Sequence, residues 1–103
     1  MTDAQTQLEL EAATFRRLRD FLREHTEVQN IDLMNLAGFC RNCLSNWLKD
    51  ASDERNLGLA KEDLRTFVYG MPYDEWKAKH QTEATPEQAA KFAQSPAAQG
   101  KHG

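Results

Sequence analysis

The sequence predicts an all-α protein, a compact array of four to five helices with a long second helix at its centre. Three observations carry that expectation. Every regular apolar pattern repeats at intervals of three and four residues, and none alternates as a half-buried strand does. The two runs friendliest to strand, Val28 to Met34 and Phe67 to Tyr73, are interrupted by Asp32 and by Gly70-Met71-Pro72. Helix start and stop residues (Asn30, Gly58, Gly70, Pro72, Thr85) also punctuate the chain at helical lengths.

The first helix is expected from Gln5 to Glu24. At about 100° per residue, Leu8, Phe15, Leu18, Phe21 and Leu22 share one half of it, opposite Arg16, Arg17, Arg19, Asp20, Arg23 and Glu24. The second helix starts at Asn30 or Asp32, whose side chains can accept from free N–H groups, and runs to about Asp53. Leu33, Met34, Leu36, Ala37, Cys40, Cys43, Leu44, Trp47 and Leu48 fill about half its girth, which makes it the central helix. Gly58 suits the left-handed position that closes it. A third helix covers Lys61 to Tyr69, with Glu62 and Asp63 in its first turn, and Gly70 ends it. Pro72 has the fixed φ preferred where a helix begins, so a fourth helix is expected from Tyr73 to His80 or Gln81 with Trp76 inward. Thr85-Pro86-Glu87-Gln88 is a capping box that opens a last short helix to about Ala93. Residues 1–94 are thus expected to form one helical domain, its core including Leu33, Leu36, Leu44, Trp47, Phe67 and Trp76, and residues 95–103 a disordered tail.

A chain of 103 residues, 40% hydrophobic and 28% charged, has the composition of a globular domain with a modest core. No stretch approaches the roughly 20 apolar residues of a membrane span, and the N-terminus lacks the basic start and apolar run of a secretory signal. The expectation is a cytoplasmic protein with Cys40 and Cys43 as reduced thiols. A net charge of −3 without long blocks of one sign favours neither nucleic acid nor a membrane surface as partner.

Two segments, VQNIDLMNLAGFCRNCLS at residues 28–45 and VYGMPYDEWK at residues 68–77, carry a family resemblance. Together they resemble the short proteobacterial proteins classed as domain of unknown function 1244, over about Phe15 to Phe92. The resemblance implies a compact all-helical fold and brings no reaction, cofactor or catalytic residue with it.

Cys40 and Cys43 form a Cys-x-x-Cys pair, the most chemically suggestive feature. A redox pair needs its first cysteine at a helix N-terminus, where free N–H groups favour thiolate. The continuous second helix would put Cys40 mid-helix, without those donors. A zinc site needs about four ligands. The pair supplies two, with His25 and His80 as the candidates for the others. Against both stands the plain reading of two small core thiols. His25, at the end of the first helix, gains from the helix dipole when protonated without any further role. The Arg16, Arg17, Arg19 and Arg23 cluster is partly neutralised by Asp20 and Glu24, which fits a solvated face better than a phosphate contact.

The stripe of Asp32, Asn35, Asn42 and Asn46 around Phe39 is less easily explained, because Asn is a mediocre helix former. It suits either a structurally bonded face or a recognition surface, to which Tyr69 and Tyr73 could add polar-tipped aromatic contacts. No nucleophile triad, phosphate loop or metalloprotease motif occurs. The sequence therefore supports a non-enzymatic interaction module without cofactor, working on a protein partner or as a homodimer about Phe39. A metal- or thiol-dependent protein centred on Cys40 and Cys43 is the alternative.

Overall fold

Asp3 begins the first helix: its Oδ1 accepts from the Thr6 N–H at 2.8 Å, and its β-region backbone stands just outside the helical turn. The computed structural model describes residues 3–95. Among them are six helices and no strand: α1 (Ala4–Glu24), α2 (Asn30–Ala37), α3 (Arg41–Glu54), α4 (Lys61–Tyr69), α5 (Tyr73–His80) and α6 (Pro86–Gln94). Apart from Ser95, the expected C-terminal tail lies outside the described residues.

The sixth helix comes from a break in the one expected to be continuous. Gly38 adopts a left-handed φ of 82° and donates its N–H to Met34 O at 3.0 Å, which closes α2. Cys40 is then fully extended, at φ −143° and ψ −176°, and α3 starts at Arg41. The break resets the helical phase. The buried stripe of α3 runs through Arg41, Leu44, Ser45 and Ser52, with Leu48 half-buried between them. Trp47 and Leu36, expected in the core, are 56% and 84% exposed, and Phe67 on α4 is 42% exposed. Leu44 and Trp76 are buried as expected.

Smaller corrections concern the helix ends. Gln29 is the N-cap of α2, and Asp32 accepts from the Gln29 N–H at 3.1 Å, as the N3 residue of a capping box does. Helix α3 stops at Glu54, short of Gly58, and Asn56 takes a left-handed φ of 56°. Helix α5 has the expected bounds, and Pro72 is its N-cap, with its carbonyl accepting from Trp76 N at 3.0 Å. The capping box at Thr85 and Gln88 forms as read, by N–H bonds of 3.1 and 2.8 Å.

The core has two adjoining parts. Leu22, Leu44, Val68, Tyr69 and Trp76 form the larger; Met34, Cys40 and Cys43 form the smaller; Leu33 and Phe39 pack against both. Helix α3 packs on α4, α2 on α6, and α4 also meets α1 and α5.

Two arginines fasten helix C-termini. Arg41, 1% exposed, donates from Nη2 to Leu22 O at 3.1 Å and His25 O at 2.9 Å, the last carbonyls of α1. Its Nη1 reaches Val28 O at 2.8 Å and Asn30 Oδ1 at 3.0 Å, and its guanidinium lies 5.0 Å over the Trp76 ring. Arg23 does the same for α4, donating to Val68 O at 3.2 Å and to Phe67 O. In both, a cation meets the negative end of a helix dipole and satisfies orphan carbonyls. At Gly70, left-handed at φ 81°, a Cβ would come within 3.0 Å of the Arg23 Nε, so this second clamp needs glycine beneath it.

Candidate functional site

The break at Gly38 puts Cys40 at the N-cap of α3 and Cys43 one turn in. The two sulfurs stand 3.9 Å apart, and no disulfide joins them. The objection that Cys40 lies mid-helix is thereby overturned: the nearby N–H groups of Asn42 and Cys43 favour its thiolate, although its sulfur accepts no capping hydrogen bond. Burial nonetheless outweighs these donors and pushes the Cys40 thiol up to about 11, so it rests protonated near neutral pH. Helix-terminal position alone does not make an activated nucleophile. The Sδ of Met34 lies 4.0 Å from the Cys43 Sγ, and all three sulfur residues are buried, at 3 to 5% exposure.

A cavity of about 490 Å³ opens beside this cluster, between α2, α3, the start of α5 and the α5–α6 connection. Met34, Cys40, Asn42, Tyr73 and Phe92 are among the residues that line it. Its wall is a hydrogen-bonded network. The Tyr69 hydroxyl donates to Asn42 Oδ1 at 2.7 Å and accepts from Asn30 Nδ2 at 3.0 Å, while Asn42 Nδ2 donates to the Tyr73 hydroxyl at 3.1 Å. Burial raises the Tyr69 pKa well above the ordinary phenol value. The connection itself is held by buried Gln29, whose amide donates to His80 O at 2.8 Å and accepts from Thr82 N at 2.9 Å.

The asparagine stripe divides accordingly. Asp32 accepts from Gln88 Nε2 at 2.8 Å and Asn35 donates to Gln88 O at 3.2 Å, so both tie α6 to α2. Asn42 is buried in the tyrosine network. Asn46 is half-buried, and Phe39 is half-buried against both core parts with its ring stacked on Trp47 at 6.3 Å. Of the expected surface residues, then, Asn42 and Tyr73 come together at the cavity with Tyr69 behind them, and Asp32 and Asn35 sit at the α6 seam.

His25 pairs with Glu27 at 3.0 Å and stacks on Phe21, and His80 packs on Trp76. Neither joins the cysteines: among the described residues no group of three or more His, Cys, Asp and Glu side chains is placed to hold a metal ion. Arg41 and Gln29 carry no expected role in the sequence, and Met34 is expected there only as part of the apolar half of the second helix. Gly38, inside an otherwise helical pattern, was the available signal for the re-phased α3 that buries Arg41.

A different surface lies on α1. Leu10, Leu18 and Phe21 are 47%, 39% and 56% exposed and lie on one face, with a shallow groove of about 420 Å³ lined by Gln7, Leu10, Glu11, Thr14, Phe15 and Leu18. The face toward the body adjoins it and carries Phe15 stacked on Phe67, Arg19 over the same ring, and Leu22 in the core. None of the helices among the described residues is long and apolar enough to cross a membrane.

No curated protein matches the chain. Residues 28–94, from the end of the α1–α2 connection through α6, match the family model described as protein of unknown function (DUF1244). The all-helical chain with its Cys-x-x-Cys pair at the head of α3 therefore belongs to the DUF1244 family.

Proposed function

We propose that the protein is a non-enzymatic helical interaction module that associates with a second copy of itself through α1. The observation behind this reading is the exposed apolar face of α1, Leu10, Leu18 and Phe21, which adjoins the face packed on the body and is left uncovered by it. Charge favours a second copy as the occupant. Asp3, Glu9 and Glu11 give the N-terminal half of α1 an acidic excess, and Arg16, Arg17, Arg19 and Arg23 against Asp20 and Glu24 give the other half a basic one. A two-fold axis near Thr14 lays acidic half on basic half, opposes the helix dipoles, and brings Leu10 of each copy toward Leu18 of the other. At about 1.5 Å per residue α1 is roughly 31 Å long, which suits a small interface and a concentration-dependent dimer.

This reading moves the interface away from Phe39, which is engaged with Trp47 and both core parts. Sedimentation equilibrium over a range of concentrations tests it. The wild type is expected to rise from monomer toward twice its mass at high micromolar concentration. Leu18→Glu with Phe21→Glu, both on solvent-facing positions, is expected to stay monomeric with unchanged helicity, and Trp47→Glu to dimerise as the wild type does. A monomer throughout, or a dimer indifferent to the α1 substitutions, refutes the reading.

A further inference from the structure

We propose that Met34, Cys40 and Cys43 form a three-sulfur site for Cu(I). Two edges of the sulfur triangle measure 3.9 Å, Cys40 to Cys43, and 4.0 Å, Cys43 to Met34. An equilateral triangle of that side has its centre about 2.3 Å from each corner, the length of a zinc–thiolate bond. With the Met34 sulfur brought to the same distance from Cys40, a trigonal ion would sit among the three.

The donor set selects the ion. Two thiolates and a thioether are soft ligands, and thioether sulfur favours Cu(I) over harder ions. Zinc in a structural site takes four nitrogen, sulfur or carboxylate donors. Among the described residues no third His, Cys, Asp or Glu completes such a set around the pair. Binding is a simple exchange: Cu(I) enters, the Cys40 and Cys43 thiols lose their protons to solvent, and two Cu–S(thiolate) bonds and one Cu–S(thioether) bond form with no change of oxidation state. The copper–dithiolate unit then carries one net negative charge. The N-terminus of α3, whose Asn42 and Cys43 N–H groups favour the Cys40 thiolate, and the buried Arg41 guanidinium of the next residue suit that charge.

Access and shielding are also present. Cys40 and Met34 line the 490 Å³ cavity, which gives the ion a route, while Leu33, Phe39 and Phe92 pack around the cluster and exclude water from the sulfurs. Nothing in this argument depends on self-association through α1, so either proposal can fail alone.

The test is an anaerobic competition titration of the untagged, reduced protein with Cu(I) against a chromophoric Cu(I) chelator, with copper K-edge absorption on the loaded protein. The expected result is one Cu(I) per chain, three sulfur neighbours at about 2.3 Å, and tighter binding of Cu(I) than of Zn(II). Met34→Leu conserves volume and is expected to keep the fold by circular dichroism. It should reduce the sulfur neighbours to two and weaken Cu(I) by at least about tenfold, the scale on which even outer-shell partners act. Cys40→Ser with Cys43→Ser is expected to abolish competition. No copper uptake by the wild type, preference for Zn(II), or a folded Met34→Leu protein with wild-type affinity and coordination would each overturn the proposal and leave the three sulfurs as core.

Discussion

Replacing Arg41 by Met tests the clamp that fastens α1 to the rest of the molecule. Methionine keeps much of the aliphatic stem but removes the guanidinium. Leu22 O, His25 O, Val28 O and Asn30 Oδ1 are then left without the donor that now reaches each at 2.8 to 3.1 Å. Charge-assisted bonds contribute about 1.5–3 kcal/mol each, so four would sum to much of the roughly 5–15 kcal/mol that holds a small domain together. They share one side chain and are not additive. A better guide is the removal of one partner from a buried ionic network, which costs about 3–5 kcal/mol. The usual escape, replacing the whole buried network by apolar groups, is closed here because three of the acceptors are backbone carbonyls. Arg41→Met should therefore lower the thermal midpoint by at least about 12 °C, at roughly 4–8 °C per kcal/mol for a chain of this size. Arg41→Lys keeps the charge but not the planar fork, and should fall between the two. Thermal unfolding followed by circular dichroism gives the midpoints, and hydrogen exchange should show protection lost first at the C-terminal turn of α1. A loss under about 1 kcal/mol for Arg41→Met, close to the roughly 0.5 kcal/mol of an ordinary surface substitution, or a lysine variant as stable as the wild type, would refute the assignment of Arg41 as the clamp.

Other consequences can be measured separately. Because burial raises the folded-state Cys40 pKa from 9.0 to about 11, its contribution is whole below pH 9 and disappears as pH rises through 11. About two pKa units correspond to roughly 3 kcal/mol. Alkaline titration of the unfolding free energy should show this loss, to which the raised Tyr69 hydroxyl adds in the same direction, and Cys40→Ala should show a shallower decline. Tyr69→Phe removes the donor to Asn42 Oδ1 and should cost about 1–3 kcal/mol by leaving a buried amide oxygen short of a partner, read as a shift in urea midpoint. Ala60 is the N-cap of α4 and offers no side-chain acceptor, so Ala60→Ser should stabilise by about 0.5–2 kcal/mol in the same assay.

Helix content was legible from apolar spacing, and most boundaries from their caps, because both signals are local. Thr85 with Gln88, Gly70 and the acidic first turn of α4 all act within four residues of themselves. What escaped was the interior of α3, where an arginine and two serines occupy the buried stripe. An apolar pattern cannot find a core position filled by a guanidinium, since its stability comes from carbonyls at residues 22, 25 and 28. The left-handed turn at Gly38 was the decisive local event. Read as a tolerated helical glycine, it carried a single phase across residues 32–53 and placed Leu36 and Trp47 inside. The candidate site was half legible for the same reason: the cysteine pair is visible as a spacing, but Met34 reaches it only because the chain turns at Gly38.

The two arginine clamps grip main-chain oxygens, and this bears on how the molecule can change. A contact between side chains fixes two identities at once, so that a substitution on one side calls for another opposite. Arg41 asks nothing of Leu22, His25 or Val28 except a carbonyl at the right place, and every residue has one. At this one contact the end of α1 is held by its main chain, while Leu22 in the core and Arg23 in the second clamp hold it by their side chains. The matched family region begins at residue 28, just past this helix, and carries the gripping residue with it. A differently composed helix that ended at the same point could be seated by the same guanidinium. With Phe15, Leu22 and Arg23 kept, the outward positions of the leading helix can change without renegotiating its attachment.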